Sequence, residues 1–335
     1  MKKSLFFTLA ALLSVLSCSK NNTTLSNDEI PLRVNVSVAG NNSTKSIISE
    51  TTFPTGSAIG VELLKYEDNS AYSAKTNVEF TTDGTGNWTS IESYTLSPQK
   101  AKVYGYFPFT TLTDNSSPFY SIPISIESES NHNSDIDFMY ATPVESEIAA
   151  VSNSNHSINL QMNHALTQIS FILYKEDYNG SGNLTNFIIE DAVTEKNLIR
   201  VNNTPGNFDM DIRNGNISGG IKGLIKRYLT TPIVLEEATL DPLFPATEQN
   251  ALKNQVLTKG CSVLIVPPGL IDVADIKFSF TIDGNIYSVK NSSAITWEKG
   301  KQYIYKIKLS GTSLSISSVT ISEWQTVIGD DMIIQ

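Results

Sequence analysis

From Leu32 to Val38 apolar and polar positions alternate. Leu32, Val34, Val36 and Val38 fall on one parity, and Arg33, Asn35 and Ser37 on the other. A period of two marks a strand with one face buried. The same reading gives strands to "AIGVELLKY", to "AKVYGYFPF" around Tyr104 and Tyr106, and to "HSINLQM", "TQISFILYK" and "LTNFIIEDAV". Further on it gives strands to "GCSVLIVPP", "IKFSFTIDGNIYSV" and "QYIYKIKLSG". "DGTGNW" before Trp88 and "IDGN" at Ile282–Asn285 predict hairpin turns. Helical spacing is confined to "GGIKGLIKRYL" at 219–229 and "TEQNALKNQVL" at 247–257, which predict two short helices. Near the end, Leu314 and Ile316 alternate and the phase then shifts at Val319 and Ile321, which predicts a strand that changes sheet. Many short strands with turn signals between them predict an all-β protein built from β-sandwiches. The polar run "VSNSNHS" places a break near 153, giving an N-terminal sandwich over 30–153 and a C-terminal one over 154–335.

The start of the chain follows different rules. Lys2 and Lys3 precede an apolar run from Leu5 to Leu16. That run is too short for the ~20 residues of a membrane-spanning helix and reads as a secretion signal over 1–17. Leu16-Ser17-Cys18-Ser19 resembles the lipobox of bacterial lipoproteins. The resemblance implies cleavage before Cys18, a diacylglycerol on its sulfur, and acylation, with palmitate for example, of the new amino end. Residues 18–29 are polar and without aromatics, a lipidated tether between membrane and folded body.

Composition narrows the function classes. The 335 residues carry a formal net charge of −10, with 17% charged residues. An acidic surface without a basic cluster disfavours nucleic acid and anionic membrane faces. The second cysteine, Cys261, cannot pair with an acylated Cys18, and within its apolar run it reads as a small buried hydrophobe. Of His132, His156 and His164, the last sits between apolar strands and reads as a core or strand-end residue. No nucleophile elbow, phosphate loop, dinucleotide fingerprint or zinc-protease motif occurs. Acids pair at Asp135 and Asp137, at Asp209 and Asp211, and at Asp330 and Asp331. In a strand, two acids at i and i+2 share a face and have the chemistry of a glycosidase or a calcium site. A solvated face or a turn accounts for them more simply. The residues support no catalytic, metal or cofactor assignment.

"SDIDFMYAT" at 134–142 followed by "INLQMNHALTQISFIL" at 158–173 resembles the fimbrillin-like family, lipoprotein pilins of the type V pili of Gram-negative anaerobes. "VLIVPPG", "ITWEKGKQYIYKIKL" and "VTISEW" are similar to that family as well. The resemblance implies two transthyretin-like β-sandwiches in tandem, export as an outer-membrane lipoprotein, and assembly with other pilin subunits on the cell surface. It also implies that a trypsin-like protease cuts after a basic residue beyond the first strand, removing lipid and strand together, so that a neighbour's strand fills the groove. The matching bond here is Lys45–Ser46, with lysine where stalk members usually carry arginine, and the groove is that of Leu32, Val34, Val36 and Val38. The leading expectation is therefore a non-enzymatic pilus subunit assembled by donor-strand exchange. The alternative is a tip adhesin or surface lipoprotein that binds a host glycan or protein.

Overall fold

The computed structural model describes residues 30–39, 53–112, 119–131, 134–141, 146–203, 207–237 and 261–323. Among the described residues all regular structure is strand, as the alternating pattern requires. A seven-stranded sheet runs in the order Arg33–Val38, Ser157–His164, Met139–Ala141, Ala101–Phe107, Ala58–Lys65, Val78–Thr82, Trp88–Thr89. Each neighbouring pair is antiparallel except the first, in which Arg33–Val38 runs parallel to Ser157–His164.

The middle of this sheet is covered on both faces. Ile59, Val61, Leu63, Val103 and Phe107 point into one core. Leu64, Tyr104 and Tyr106 point into the other, where Tyr106 meets Phe119 edge-on with ring centres 6.2 Å apart. Two-sided burial explains why Ala58–Lys65 reads as an almost unbroken apolar run. Gly60 sits opposite Tyr106 on the neighbouring strand, and a β-carbon there would overlap the tyrosine ring.

The second core lies between two further sheets. One holds Glu236–Glu237, Thr167–Glu176, Lys301–Ser310 and Ser313–Glu323, with Ser262–Ile265 also paired to Thr167–Glu176. The other runs Asn285–Lys290, Ile276–Ile282, Asn183–Asp191, Leu224–Val234, Glu129–Asn131. Phe171 stands at the centre, edge-to-face with Phe187, Phe278 and Phe280 at 5.1–5.2 Å. Such contacts add to the area burial of the rings. Cys261 is fully buried in this core, as its apolar neighbours suggested.

Both hairpin expectations agree with the strand pairing. Val78–Thr82 returns as Trp88–Thr89 around Asp83–Asn87. Ile276–Ile282 returns as Asn285–Lys290, with Asp283 and Gly284 at φ +48° and +78°, the left-handed pair that a two-residue turn demands.

Three expectations differ. Residues 219–229 are not a helix: they form strands Ile221–Lys222 and Leu224–Val234. Ile225, Arg227 and Leu229 alternate inward there, and the arginine in a core position disguises the period of two. The other helix candidate, 247–257, lies outside the described residues. The phase shift after Ile316 is not a change of sheet. Ser313–Glu323 is one strand along Lys301–Ser310, and its register slips at Ser317, where Ile307 faces Ile316 and Lys306 faces Ser318. The extra residue of a β-bulge restores Val319 to the face of Leu314 and Ile316.

Nor does the pairing break at 153. Ser157–His164 belongs to the N-terminal sheet, while Ser121–Ile124 pairs with Phe208–Asp211 and Glu129–Asn131 with Leu224–Val234. The polar run near 153 is a tight turn closed by Ser152 and Asn155.

Candidate functional site

Arg33–Val38 is the terminal strand of its sheet. Its β-branched alternation suits a half-buried strand, and burial follows the pattern. Leu32, Val34 and Val38 are 3%, 3% and 7% exposed, Val36 is half-buried, and Arg33, Asn35 and Ser37 face solvent. Leu160, Met162, Met139 and Ala141 belong to the same apolar cluster. Beyond the parallel ladder from Arg33–Ser157 to Val38–Met162, the Arg33 amide donates to the His156 carbonyl at 2.8 Å and the Ala39 amide to Met162 at 2.7 Å. Just upstream, the Leu32 amide donates to Tyr94 at 2.9 Å. On the outer face Asn35 donates its side-chain amide to Asn159 at 3.0 Å. Among the described residues no strand lies on the other side of Arg33–Val38. The arrangement is thus a short strand bonded along one edge, with its side chains set deep in the core.

Beneath that core Glu62 is fully buried in Ala58–Lys65. Its Oε2 accepts from the Thr76 hydroxyl and the Asn77 amide, both at 2.9 Å, and from the Tyr94 hydroxyl at 3.3 Å. Burial, reinforced by the Glu62 charge, pushes Tyr94 far above the usual phenol range. Burial likewise pushes Tyr106 up to about 12. These hydroxyls stay protonated at neutral pH and act as fixed donors.

The partner strand Ser157–His164 ends in a clasp built from the "SDIDFMYA" stretch. His164 Nδ1 lies 2.9 Å from an Asp137 carboxylate oxygen, with the side chains 3% and 10% exposed. Two residues earlier, Asp135 meets Arg227. Arg227 Nε donates to Oδ1 at 2.9 Å and Nη2 lies 2.6 Å from the same oxygen, while Oδ2 accepts from the Leu264 amide at 3.0 Å. Arg227 Nη1 donates to the Glu127 and Lys226 carbonyls. Asp135 and Asp137 therefore form neither a catalytic pair nor a solvated face. They do not lie in a strand, and each carboxylate reaches a different basic side chain. The two contacts join the N-terminal sheet to Leu224–Val234 and Ser262–Ile265, and the backbone bond from the Ala165 amide to Phe138 runs between them. Sequence reasoning named both acids and His164 but missed Arg227, whose partner is 92 residues away.

Asp209 and Asp211 do share the outer face of Phe208–Asp211. They border a cleft of about 440 Å³ with Tyr120, Arg213 and Asn216. There Arg213 forms a two-pronged bond to Asp211 and stacks 4.3 Å from the Tyr120 ring centre. Burial pulls the Asp211 carboxyl up, but the bonds from Arg213 outweigh it and hold the group below its ordinary range. Cys18, Lys45, Ser46 and the pair Asp330 and Asp331 lie outside the described residues.

A comparison with curated proteins finds no match. Among solved structures, a candidate cell adhesion protein from Bacteroides ovatus superposes with a TM-score of 0.61 at 12% identity, covering 89% of this chain and 99% of its own. A second, from Bacteroides uniformis, gives 0.57 at 15% identity, with coverage of 89% and 99%. A fimbrial protein from Bacteroides vulgatus gives 0.56 at 13% identity, with coverage of 88% and 99%. At such identities the likeness establishes the shared all-β fold. The sequence model described as fimbrillin-like matches residues 44–324. Members of that family are structural rather than catalytic proteins, in keeping with carboxylates engaged by Arg227, His164 and Arg213. The chain belongs to the fimbrillin-like family.

Proposed function

We propose that this protein is a structural subunit of a surface pilus, delivered as a lipoprotein through Cys18 and assembled by exchange of its first strand. One observation carries the reading. Among the described residues Arg33–Val38 pairs along one edge only, yet its Val34 and Val38, with Leu32 just upstream, fill three deep apolar sites. At ~1.5–3 kcal/mol per buried side chain, the three contribute roughly 5–9 kcal/mol. A whole domain is stable by only about 5–15 kcal/mol. Cleavage at Lys45–Ser46 and departure of the strand leaves a core that needs a replacement. An incoming strand gains backbone bonds along Ser157–His164, and the vacated sites fix its register.

The alternative, a tip adhesin or glycan-binding lipoprotein, would place its ligand in an open polar site. The cleft by Tyr120 is the best candidate, but Arg213 already neutralises Asp211 and covers the tyrosine ring. N-terminal sequencing of the mature surface protein tests the leading reading. A start at Ser46 is expected. A start at Cys18 in polymerised material contradicts strand removal and favours an uncleaved anchor or binding protein.

A further inference from the structure

The chain around the first strand changes partner along its length. Ile30 and Pro31 pair antiparallel with Leu96 and Thr95. From Arg33 onward the chain runs parallel to Ser157–His164. Leu32 lies at the crossing, and both of its backbone groups turn to the first partner. Its amide donates to the Tyr94 carbonyl at 2.9 Å, and its carbonyl accepts from the Ser93 hydroxyl at 3.2 Å. Residues 93–97 are held in turn from other parts of the domain. Tyr94 is fully buried, and its hydroxyl reaches the Val61 carbonyl at 3.2 Å and Glu62 Oε2 at 3.3 Å. Lys75 donates its ammonium to the Glu92 and Ser93 carbonyls, and the Ser97 amide donates to the Tyr72 hydroxyl at 2.7 Å. All of these anchors lie outside the first strand.

The apolar sites alone leave one ambiguity. A slip of one residue turns Leu32, Val34 and Val38 to solvent, and burial rules it out. A slip of two keeps the same parity inside, and Ile30 extends that parity by one more apolar residue. Ile30, Leu32, Val34 and Val36 would then occupy the sites of Leu32, Val34, Val36 and Val38. Each site sees a change of a methylene at most, and such a change discriminates weakly. Setting the register against a slip of two takes a feature that does not repeat along the strand, and the pair of bonds at Leu32 is one. We propose that Ser93 and Tyr94 are positioning residues that set the register of any strand lying in this groove. The inference rests on the strand-exchange reading and specifies the partner that the groove accepts. That partner is a strand of another subunit with alternating apolar residues, and it must extend past the Arg33–Val38 section. At the Leu32 position it needs an apolar residue other than proline, which has no amide hydrogen for Tyr94 to accept.

A labelled peptide of residues 30–39, "IPLRVNVSVA", added while the folded full chain is cut after Lys45, tests it. The probe is compared with two versions methylated on one backbone nitrogen. Methylation at Leu32 removes the hydrogen that Tyr94 accepts. Methylation at Val36 is the control. The Arg33 and Ala39 amides face Ser157–His164, so by alternation the Val36 amide points away from it. The expected result is equal capture of the probe and the Val36 version, with release of the Leu32 version roughly tenfold faster, as for the loss of one hydrogen bond. Equal release of both methylated peptides overturns the proposal while exchange stands. Capture of no peptide overturns exchange itself, and the proposal with it. A second measurement needs no cut. In the full chain Ser93→Ala should speed amide hydrogen exchange several-fold at Leu32 and along Arg33–Val38, with exchange in Ala101–Phe107 unchanged. No change at Leu32 overturns the positioning role, and so does an equal rise in both strands, which a merely loosened domain would give.

Discussion

Two strands close the ends of their sheets in this molecule, and they are built differently. Arg33–Val38 is short and parallel to its neighbour, a pairing slightly weaker per residue than an antiparallel one. Ser313–Glu323 is nearly twice as long, antiparallel, and bonded over its whole length. The first holds itself by side chains, with Val34 and Val38 buried almost completely and Leu32 just upstream buried as well. The second holds itself by its ladder, with Leu314, Ile316 and Val319 only half-buried. Losing the first therefore opens a core, whereas losing the second mainly exposes backbone. A strand whose stabilisation comes from pockets is the one that another strand of matching pattern can replace.

The largest expected effect bears on the clasp at the end of the first strand's partner. Arg227→Met leaves the largely buried Asp135 with the Leu264 amide but without its cation, and such a loss costs up to about 3–5 kcal/mol. Denaturant unfolding should show it, and adding Asp135→Leu should recover much of it. Failure of the second change to rescue would mean that the clasp is more than an ion pair. Next comes the direct comparison of edges. Leu32→Ala should cost about 2–4 kcal/mol, as for a buried leucine. Leu314→Ala should cost about 1 kcal/mol or less, since much of that side chain already meets water. Equal costs would erase the distinction between the two ends.

The smallest effect is a pH dependence at the C-terminal edge. The Asn183 and Gly182 amides donate to Asp283 and hold its carboxyl below the ordinary range, and the Tyr178 hydroxyl adds to this. A depressed carboxylate contributes stability that is present above its unfolded pKa of about 3.9 and is lost as pH falls through the folded value. Protection across Asn285–Lys290, taken relative to the intrinsic exchange rate at each pH, should therefore fall below about pH 4. Asp283→Asn should remove that pH dependence, while Arg33–Val38 stays indifferent to the change.

Legibility from sequence followed locality. The alternation at Leu32–Val38 and the turn at Asp283–Gly284 are set by neighbouring residues, so pattern and turn chemistry sufficed. Where long-range partners decide, the pattern misled. Arg227 occupies an inward position because Asp135 neutralises it from another part of the chain, and without that partner the segment looks helical. The shift after Ile316 is absorbed by a bulge whose Ser317 hydroxyl meets Tyr174 at 2.6 Å, a contact spanning 143 positions. The polar run near 153 had the composition of a linker but turns within a sheet, because the strand after it is the one that Arg33–Val38 needs. The acid pairs were visible, but their use was not, since it depends on basic partners that spacing cannot locate.

Assembly by exchange requires that the first strand leave and that a strand of another subunit take its place. Limiting digestion of the folded protein with a lysine-specific protease, followed by mass measurement across a dilution series, tests it most directly. One early cut at Lys45–Ser46, release of the fragment carrying Leu32–Val38, and oligomers that survive dilution are the expected result. A Lys45 that stays intact while other lysines are cut, or a cut product that persists as a stable monomer, would contradict it.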